Sequence, residues 1–511
     1  MLNELWSFHG RYRILHLTWF AFFLSFVVWF NFAPFATAVQ ESLNLTSGQM
    51  KTIAICNVAL TVPARIIIGM VLDKYGPRIT YSLLLMYAAI PCLLFAFAQD
   101  FNSLVISRLL LSIVGAGFVI GIRMVAEWFP PKEIGLAEGI YGGWGNFGSA
   151  AAAFTLPTIA TITSVMAAGQ INWRFAIALT GIVAAIYGAT YYFNVQDTPT
   201  GKVYQRPKRH GGIEVTSRRD FWFMMVMNIP LSGILAVLAW RLNKVGFFNQ
   251  SQLYIAWFLL FCLYAFQSYK CWTVNKELVM GKKRYPAEDR YEFSQVAMLE
   301  LTYFVNFGSE LAVVSMLPAF FENTFSLSKV MAGAIAASYA FMNLAARPGG
   351  GLISDKLGSR KLTMTVLTGC MGIGYLMFGS INSSWWLPLA ILMTMAGSFF
   401  VQAGEGSTFA IVPLIKRRVT GQIAGNVGAY GNVGAVAYLT LYSLLPEGQV
   451  GNTIFFQTLG VGSLIVTFLC WFFLKEPKGS FSAHHEGEET EMGMQQPTLP
   501  AMLAYEQEQG E

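Results

Sequence analysis

Charge is what this sequence has least of. Only 12% of its 511 residues are Asp, Glu, Lys or Arg, while 55% are hydrophobic and the mean hydropathy is +0.49. A soluble globular chain carries roughly 25% charged residues, so this one is built for a bilayer. Histidine is also scarce: His9, His16, His210, His484 and His485 all lie in or near segments expected outside the membrane, which excludes a histidine relay across it. The six cysteines (Cys56, Cys92, Cys262, Cys271, Cys370, Cys470) stand singly in or beside apolar runs. They have no metal-ligand spacing and read as buried small apolar residues. There is no Ser/His/Asp set and no phosphate-cradling loop, so neither an enzyme, a cofactor nor a metal is expected.

What is present is apolar length. Runs able to cross a membrane fall near 14–38, 50–72, 79–98, 101–126, 138–164, 173–195, 219–240, 252–270, 296–320, 329–353, 361–381, 385–412, 421–446 and 453–474. Ala36-Thr-Ala38 resembles a signal cleavage site, but the apolar run before it is too long for a signal peptide and reads as a retained first span. About fourteen spans put both termini on one side. Segments on that side carry twenty-five Lys and Arg residues, against Arg241 and Lys244 opposite, so both termini are expected in the cytoplasm. The net charge of +6 is explained by these short loops and calls for no nucleic-acid partner.

The layout is duplicated. Arg65-Ile-Ile-Ile-Gly-Met-Val-Leu-Asp73-Lys-Tyr-Gly-Pro-Arg78 returns as Arg347-Pro-Gly-Gly-Gly-Leu-Ile-Ser-Asp355-Lys-Leu-Gly-Ser-Arg360, with Arg, Gly, Asp, Lys, Gly and Arg at the same spacings. A second pair is Gly142-Gly143-Trp-Gly145-Asn146-Phe-Gly148 with Gly425-Asn-Val-Gly428-Ala-Tyr-Gly431-Asn432-Val-Gly434. The reading is an all-α membrane protein: a six-helix bundle over 1–195, and a linker over 196–295 that holds a peripheral helical hairpin at 219–270. A second six-helix bundle spans 296–476, and 477–511 forms an acidic, disordered cytoplasmic tail.

In each copy the first Arg lies about 12 Å along the helix from the polar turn, near the middle of a hydrocarbon core about 30 Å thick. Two deep guanidiniums at equivalent places suggest an anion between them, and a planar fork suits a small flat oxyanion better than an ammonium does. The alternative is that each Arg pairs with a nearby Glu. Glu310 and Glu405 are candidates for carrying a proton or for such pairing. Arg108 and Arg123 read as snorkelling or structurally paired. Asp73, Arg78, Asp355 and Arg360 are expected to make contacts between the halves that close the cytoplasmic face.

The Gly-x-x-x-Asp-Lys-x-Gly-x-Arg turns resemble the signature of the major facilitator superfamily. With the paired Gly-Asn motifs and a membrane Arg in the second span of each half, the chain is similar to its nitrate/nitrite porter family. The resemblance runs from about Trp29 to Glu476 apart from the hairpin, an addition to the family's usual twelve spans. It implies that Arg65 and Arg347 clamp the anion, Asn146 adds a hydrogen bond, Phe118 and Phe307 sandwich it, and Tyr303 and Phe32 line the site. Gly143, Gly145, Gly428 and Gly431 are implied as sliding faces of the gate, while Asn432 stays open between ligand and cross-helix bond. The function implied is proton-coupled import of nitrate and nitrite by alternating access, in the plasma or inner membrane, by a single chain. The alternatives are nitrate/nitrite exchange, or an anion sensor signalling through its acidic tail.

Overall fold

Residues 4–167, 169, 171–207 and 211–483 are described by the structure, a computed structural model; they contain helices and no strand. Among them, twelve helical segments are long and apolar enough to cross a membrane: Gly10–Ser42, Ser47–Tyr75, Pro77–Ala96, Phe101–Trp128, Pro131–Val165, Trp173–Asn194, Arg218–Lys244, Gln250–Val279, Phe293–Phe325, Arg360–Phe378, Leu387–Ile415 and Gln449–Phe473. The two other expected runs are helical as well, Lys329–Phe341 continuing as Asn343–Lys356, and Thr420–Leu444. Polar and glycine residues such as Asn343, Arg347, Gln422, Asn426 and Asn432 keep these two out of the apolar set. In chain order the fourteen segments are called spans 1 to 14 here. The helix ends add Lys51, Arg174 and Lys329 to the face opposite the termini, which leaves the charge imbalance intact.

Each duplicated turn stops its helix by the same device. Gly76 and Gly358 take φ +93° and +73°, a region a side chain strains to enter, so the chain leaves spans 2 and 10 at a sharp angle. Directly before each turn stands the motif aspartate. Asp73 accepts from the Gly421 and Gln422 amides at 3.0 and 2.9 Å, and Asp355 from the Gly135 and Leu136 amides at 3.0 and 2.7 Å. The carboxylate ending each second span therefore caps the N-terminus of the fifth span of the other half, where the helix dipole favours an anion. These mirrored caps close the face that carries the basic loops, called the basic face below.

The hairpin is not wholly peripheral. Its first helix, span 7, packs along the seam between spans 2 and 13, and its second, span 8, is exposed along most of its apolar length. Cys262 on span 8 is accordingly exposed and Cys370 half-buried, whereas the other four cysteines are buried as expected. The linker is tied to the second bundle by Arg418, which pairs with Glu214 at 3.1 Å, and Lys283 of the linker itself pairs with the same carboxylate at 3.3 Å. Burial pushes the Glu214 carboxyl up, but the Tyr285 hydroxyl bond and the two cations outweigh it and hold it below the usual carboxylate range.

Of the tail expected to be disordered, residues 477–483 are placed, turning back across the basic face. Residues 484–511 lie outside the described set.

Candidate functional site

Broken helices build the centre. Span 4 runs as Phe101–Ser112, a tight 3-10 turn Ile113–Ala116, and Gly117–Trp128. The interruption frees carbonyls inside the bundle: Ser112 O accepts from the Thr61 hydroxyl at 2.6 Å, and Gly115 O from Arg65 Nε at 3.3 Å. Arg65 Nη1 crosses to the other half and donates to Gly428 O at 2.5 Å. Its Nη2 makes no well-formed hydrogen bond, although the Tyr303 hydroxyl lies beside the guanidinium. The side chain is fully buried, and among the described residues no carboxylate stands within ion-pair distance of it.

Arg347 is treated differently. Its Nη1 pairs with Glu405 at 2.6 Å, both side chains being buried, and its Nη2 donates to the Tyr303 hydroxyl at 3.1 Å. Both guanidiniums sit over one ring, Arg65 Cζ at 5.3 Å and Arg347 Cζ at 5.1 Å from the Phe118 centroid. Arg65 Cζ is also 5.1 Å from the Phe307 centroid. The rings of Phe118 and Phe307 lie within 3° and 2° of parallel to Tyr303, so three flat faces share one orientation. Phe409 presents its edge to two of them. The cations converge, but one has a carboxylate partner and the other does not.

Asn146 is buried with neither its oxygen nor its nitrogen hydrogen-bonded. An unpaired buried amide is costly, which suits a group that meets a ligand. Asn432 instead donates to Gly428 O of its own helix at 3.3 Å. Glu310 accepts from Asn343 at 2.6 Å and from Gln402 at 3.4 Å, and its carboxyl lies beside that of Glu405. Two carboxyls and two guanidiniums therefore form one buried cluster.

Five expected placements differ. Phe32 is not at this site: it packs on Arg108, whose Cζ is 5.3 Å from its ring, and on Phe95. Arg108 does not snorkel but is buried, donating to Asn31 Oδ1 at 3.0 Å and Trp29 O at 2.7 Å, where the first helix ends. Arg78 stays within its own half, over the Tyr192 ring at 4.7 Å, while Arg360 does cross, to Pro131 O at 2.7 Å. The place matching Arg360 is taken by buried Arg123, which pairs with Glu127 at 2.9 Å and lies 3.9 Å from Asp73. Of the four gate glycines, Gly143 and Gly428 face the opposite half, where a Cβ would stand 2.3 Å from Asn343 O and 3.1 Å from Arg65 Cδ. Gly145 and Gly431 face Phe22 and Tyr303 of their own bundles.

Sequence reasoning missed Tyr141, whose hydroxyl donates to Gly117 O and Phe118 O at 3.0 Å each and holds the Phe118 turn. It also missed Asn306 and Glu138, both buried and both without a hydrogen bond on either side-chain head atom. Glu138 had a usable signal, a carboxylate one turn inside a span, whereas Tyr141 and Asn306 had none. The seam glycines Gly69, Gly135, Gly139, Gly351 and Gly425 carried the same glycine signal and extend the contact toward the basic face.

Comparison with known proteins agrees with this architecture. Residues 18–274 and 299–503 match the Major Facilitator Superfamily. The nitrate/nitrite transporter NrtP of a Picosynechococcus strain is 66% identical, over 96% of this chain and 98% of that protein. NrtP of Nostoc punctiforme is 61% identical over the same shares. The high-affinity nitrate transporter 2.3 of Oryza sativa subsp. japonica is 28% identical over 86% and 74%. Among solved structures, the proton:xylose symporter XylE has a TM-score of 0.59 at 14% identity, covering 93% of this chain and 99% of that one, and bears on the fold alone. With its duplicated turns, converging arginines and near-full-length identity to transporters rather than enzymes, the chain belongs to the nitrate/nitrite porter family of the major facilitator superfamily.

Proposed function

We propose that this multi-pass membrane protein imports nitrate and nitrite across the cell membrane together with protons. The observation that carries the reading is the Arg65 guanidinium, buried without a carboxylate and set between two parallel rings. A flat anion slides into such a slot and takes hydrogen bonds from the planar fork in the plane of its own oxygens. Asn146 supplies a further donor, and Arg347, steered by Tyr303 and Glu405, closes the other side.

Charge counting supports the proton. With Glu310 and Glu405 ionised the cluster is neutral, so an arriving anion leaves it short of one positive charge, which a proton on the carboxyl pair restores. Moving an anion into a cell that is negative inside costs roughly 2.3 kcal/mol per 100 mV; one proton carried with each anion cancels that cost, and a second lets the potential drive import. The twenty-five basic residues mark the closed face as cytoplasmic. Parting of the mirrored Asp73 and Asp355 caps then releases the anion inward. One chain holds both halves of the site.

The second reading, exchange of nitrate for nitrite, is favoured by the Arg347–Glu405 pair, which occupies one of the two carboxyls. Labelled-nitrate uptake into proteoliposomes under an imposed proton gradient separates the two. Glu310→Gln and Glu405→Gln are each expected to uncouple uptake from the gradient; full gradient-driven uptake in both variants would leave exchange as the better account. Phe32→Leu is expected to keep half-saturation within about twofold of the parent, because the ring belongs to the Arg108 cluster. A tenfold rise would return Phe32 to the site.

A further inference from the structure

The carboxyl pair at the centre accounts for one proton, and span 5 holds a further acid. Glu138 is 1% exposed, and neither of its oxygens has a hydrogen bond. Among the described residues Arg347 is the one charge near enough to act on it, yet Arg347 pairs with Glu405 and not with Glu138. The charges on the helices packed against Ile134–Asn146 have partners of their own or lie exposed. Arg11 pairs with Glu133 at 2.9 Å, Arg123 with Glu127 at 2.9 Å, and Asp355 with Arg360 at 2.8 Å. Arg13 donates to Asn194 Oδ1 at 3.1 Å, the His16 ring bonds Leu5 O and the Trp19 indole, and Lys132 and Lys356 are exposed.

Glu138 stands between the converging arginines and the gate. Glu138, Gly142 and Asn146 recur at four-residue spacing, so they lie one above another along one side of the helix. A Cβ on Gly142 would stand 2.5 Å from Arg347 Nε, and Asn146 is the buried amide without a hydrogen bond. In the other direction comes Gly135, whose amide donates to Asp355 in the cap. Glu138 is thus about 12 Å along the axis from Asn146 and about 4.5 Å from Gly135. With no donor and no cation at ion-pair distance, a carboxylate here is an uncompensated buried charge, whereas the acid form is neutral.

We propose that Glu138 carries a second proton with each anion and gives it up at the basic face, leaving a carboxylate that holds Arg347 after the anion has gone. This role rests on the transport reading above. When the Asp355 cap on Gly135 parts, water reaches Glu138. Its O–H bond breaks, the electron pair stays on the carboxyl oxygen, and the proton passes to that water. With the anion and two protons aboard, the set of Arg65, Arg347, Glu310, Glu405 and Glu138 is neutral. Emptied, it carries one negative charge, which a cell negative inside drives outward, so the potential resets the site. Glutamine at this place keeps the shape and removes the acid; loaded and empty sites are then both neutral, and the potential has no hold on them.

The test is accumulation of labelled nitrate in proteoliposomes at an inside-negative potassium-diffusion potential of about 59 mV with no pH difference, where one net charge per anion gives about tenfold. The parent is expected to reach that ratio. E138Q is expected to accumulate none under the potential but to concentrate nitrate under a pH gradient, which shows that it is folded. E138D keeps the acid and is expected to recover most of the potential-driven accumulation. Tenfold accumulation by E138Q as well overturns the proposal. A measurement on the parent needs no variant: a hydrophobic carbodiimide couples to a protonated carboxyl within the membrane, and mass analysis should find it on Glu138 at neutral pH. Glu138 left unlabelled also overturns the proposal. A parent that accumulates nitrate under neither gradient sinks the transport reading instead, and the labelling alone then decides whether Glu138 holds a proton.

Discussion

Arg65→Lys lowers labelled-nitrate counterflow in proteoliposomes by about a hundredfold or more, the loss that goes with two charge-assisted hydrogen bonds worth roughly 1.5–3 kcal/mol each. The charge is kept, so the loss is not one of attraction. What disappears is the planar fork: Lys cannot reach Gly115 O and Gly428 O while also offering two coplanar donors to an anion between Phe118 and Phe307. Arg347→Lys is expected to lose less, about tenfold, since an ammonium can still pair with Glu405 and still donate to the Tyr303 hydroxyl. Near-parental counterflow from both Lys variants would show that a flat bidentate donor is not what the site requires. A larger loss for Arg347→Lys than for Arg65→Lys would reverse the roles assigned to them.

Gly351→Ala reduces transport to about a hundredth of the parent or below while the protein still folds. A Cβ at Gly351 would stand 1.9 Å from Gly135 O, a backbone atom of the opposite half that cannot swing aside. The Asp355 caps on Gly135 and Leu136 form at this same contact, so the methyl group wedges the basic face apart. Alanine strengthens a helix relative to glycine by about 1 kcal/mol, so lost activity cannot be put down to weakening of span 10. Gly349→Ala is the matched control on the same helix. Its Cβ would have only Phe399 for a neighbour, at 3.9 Å, and its transport is expected to stay near the parent's. The readouts are counterflow and hydrogen exchange at Gly135 and Leu136. Equal activity in the two variants would mean that close backbone contact along this seam is dispensable.

The contrast between those two glycines, two letters of one Gly-Gly-Gly run, marks where reading the chain stops. Composition made the chain a membrane protein, the repeated turn paired the halves, and the deep arginines announced an anion. Each is a property of about twenty consecutive residues, and partition between water and lipid acts on such a length by itself. The hydropathy signal was weakest in spans 10 and 13, whose polar and glycine residues are needed at the centre.

Facing direction was another matter. Forty-one phenylalanines give no hint that Phe118 and Phe307 flank Arg65 while Phe32 covers Arg108. Equal motif positions did not mean equal surroundings: Arg360 reaches the other half and Arg78 does not, and Glu405 balances Arg347 while no carboxylate among the described residues stands at ion-pair distance from Arg65. Span number, duplication and the presence of two buried cations were written in the order of residues. Which cation is paired, which glycines touch across the seam and which rings face the slot depend on how each helix is rotated and how deep it sits. That is settled by packing between segments as far apart as Arg65 and Gly428, 363 residues along the chain, a separation across which no local pattern carries information.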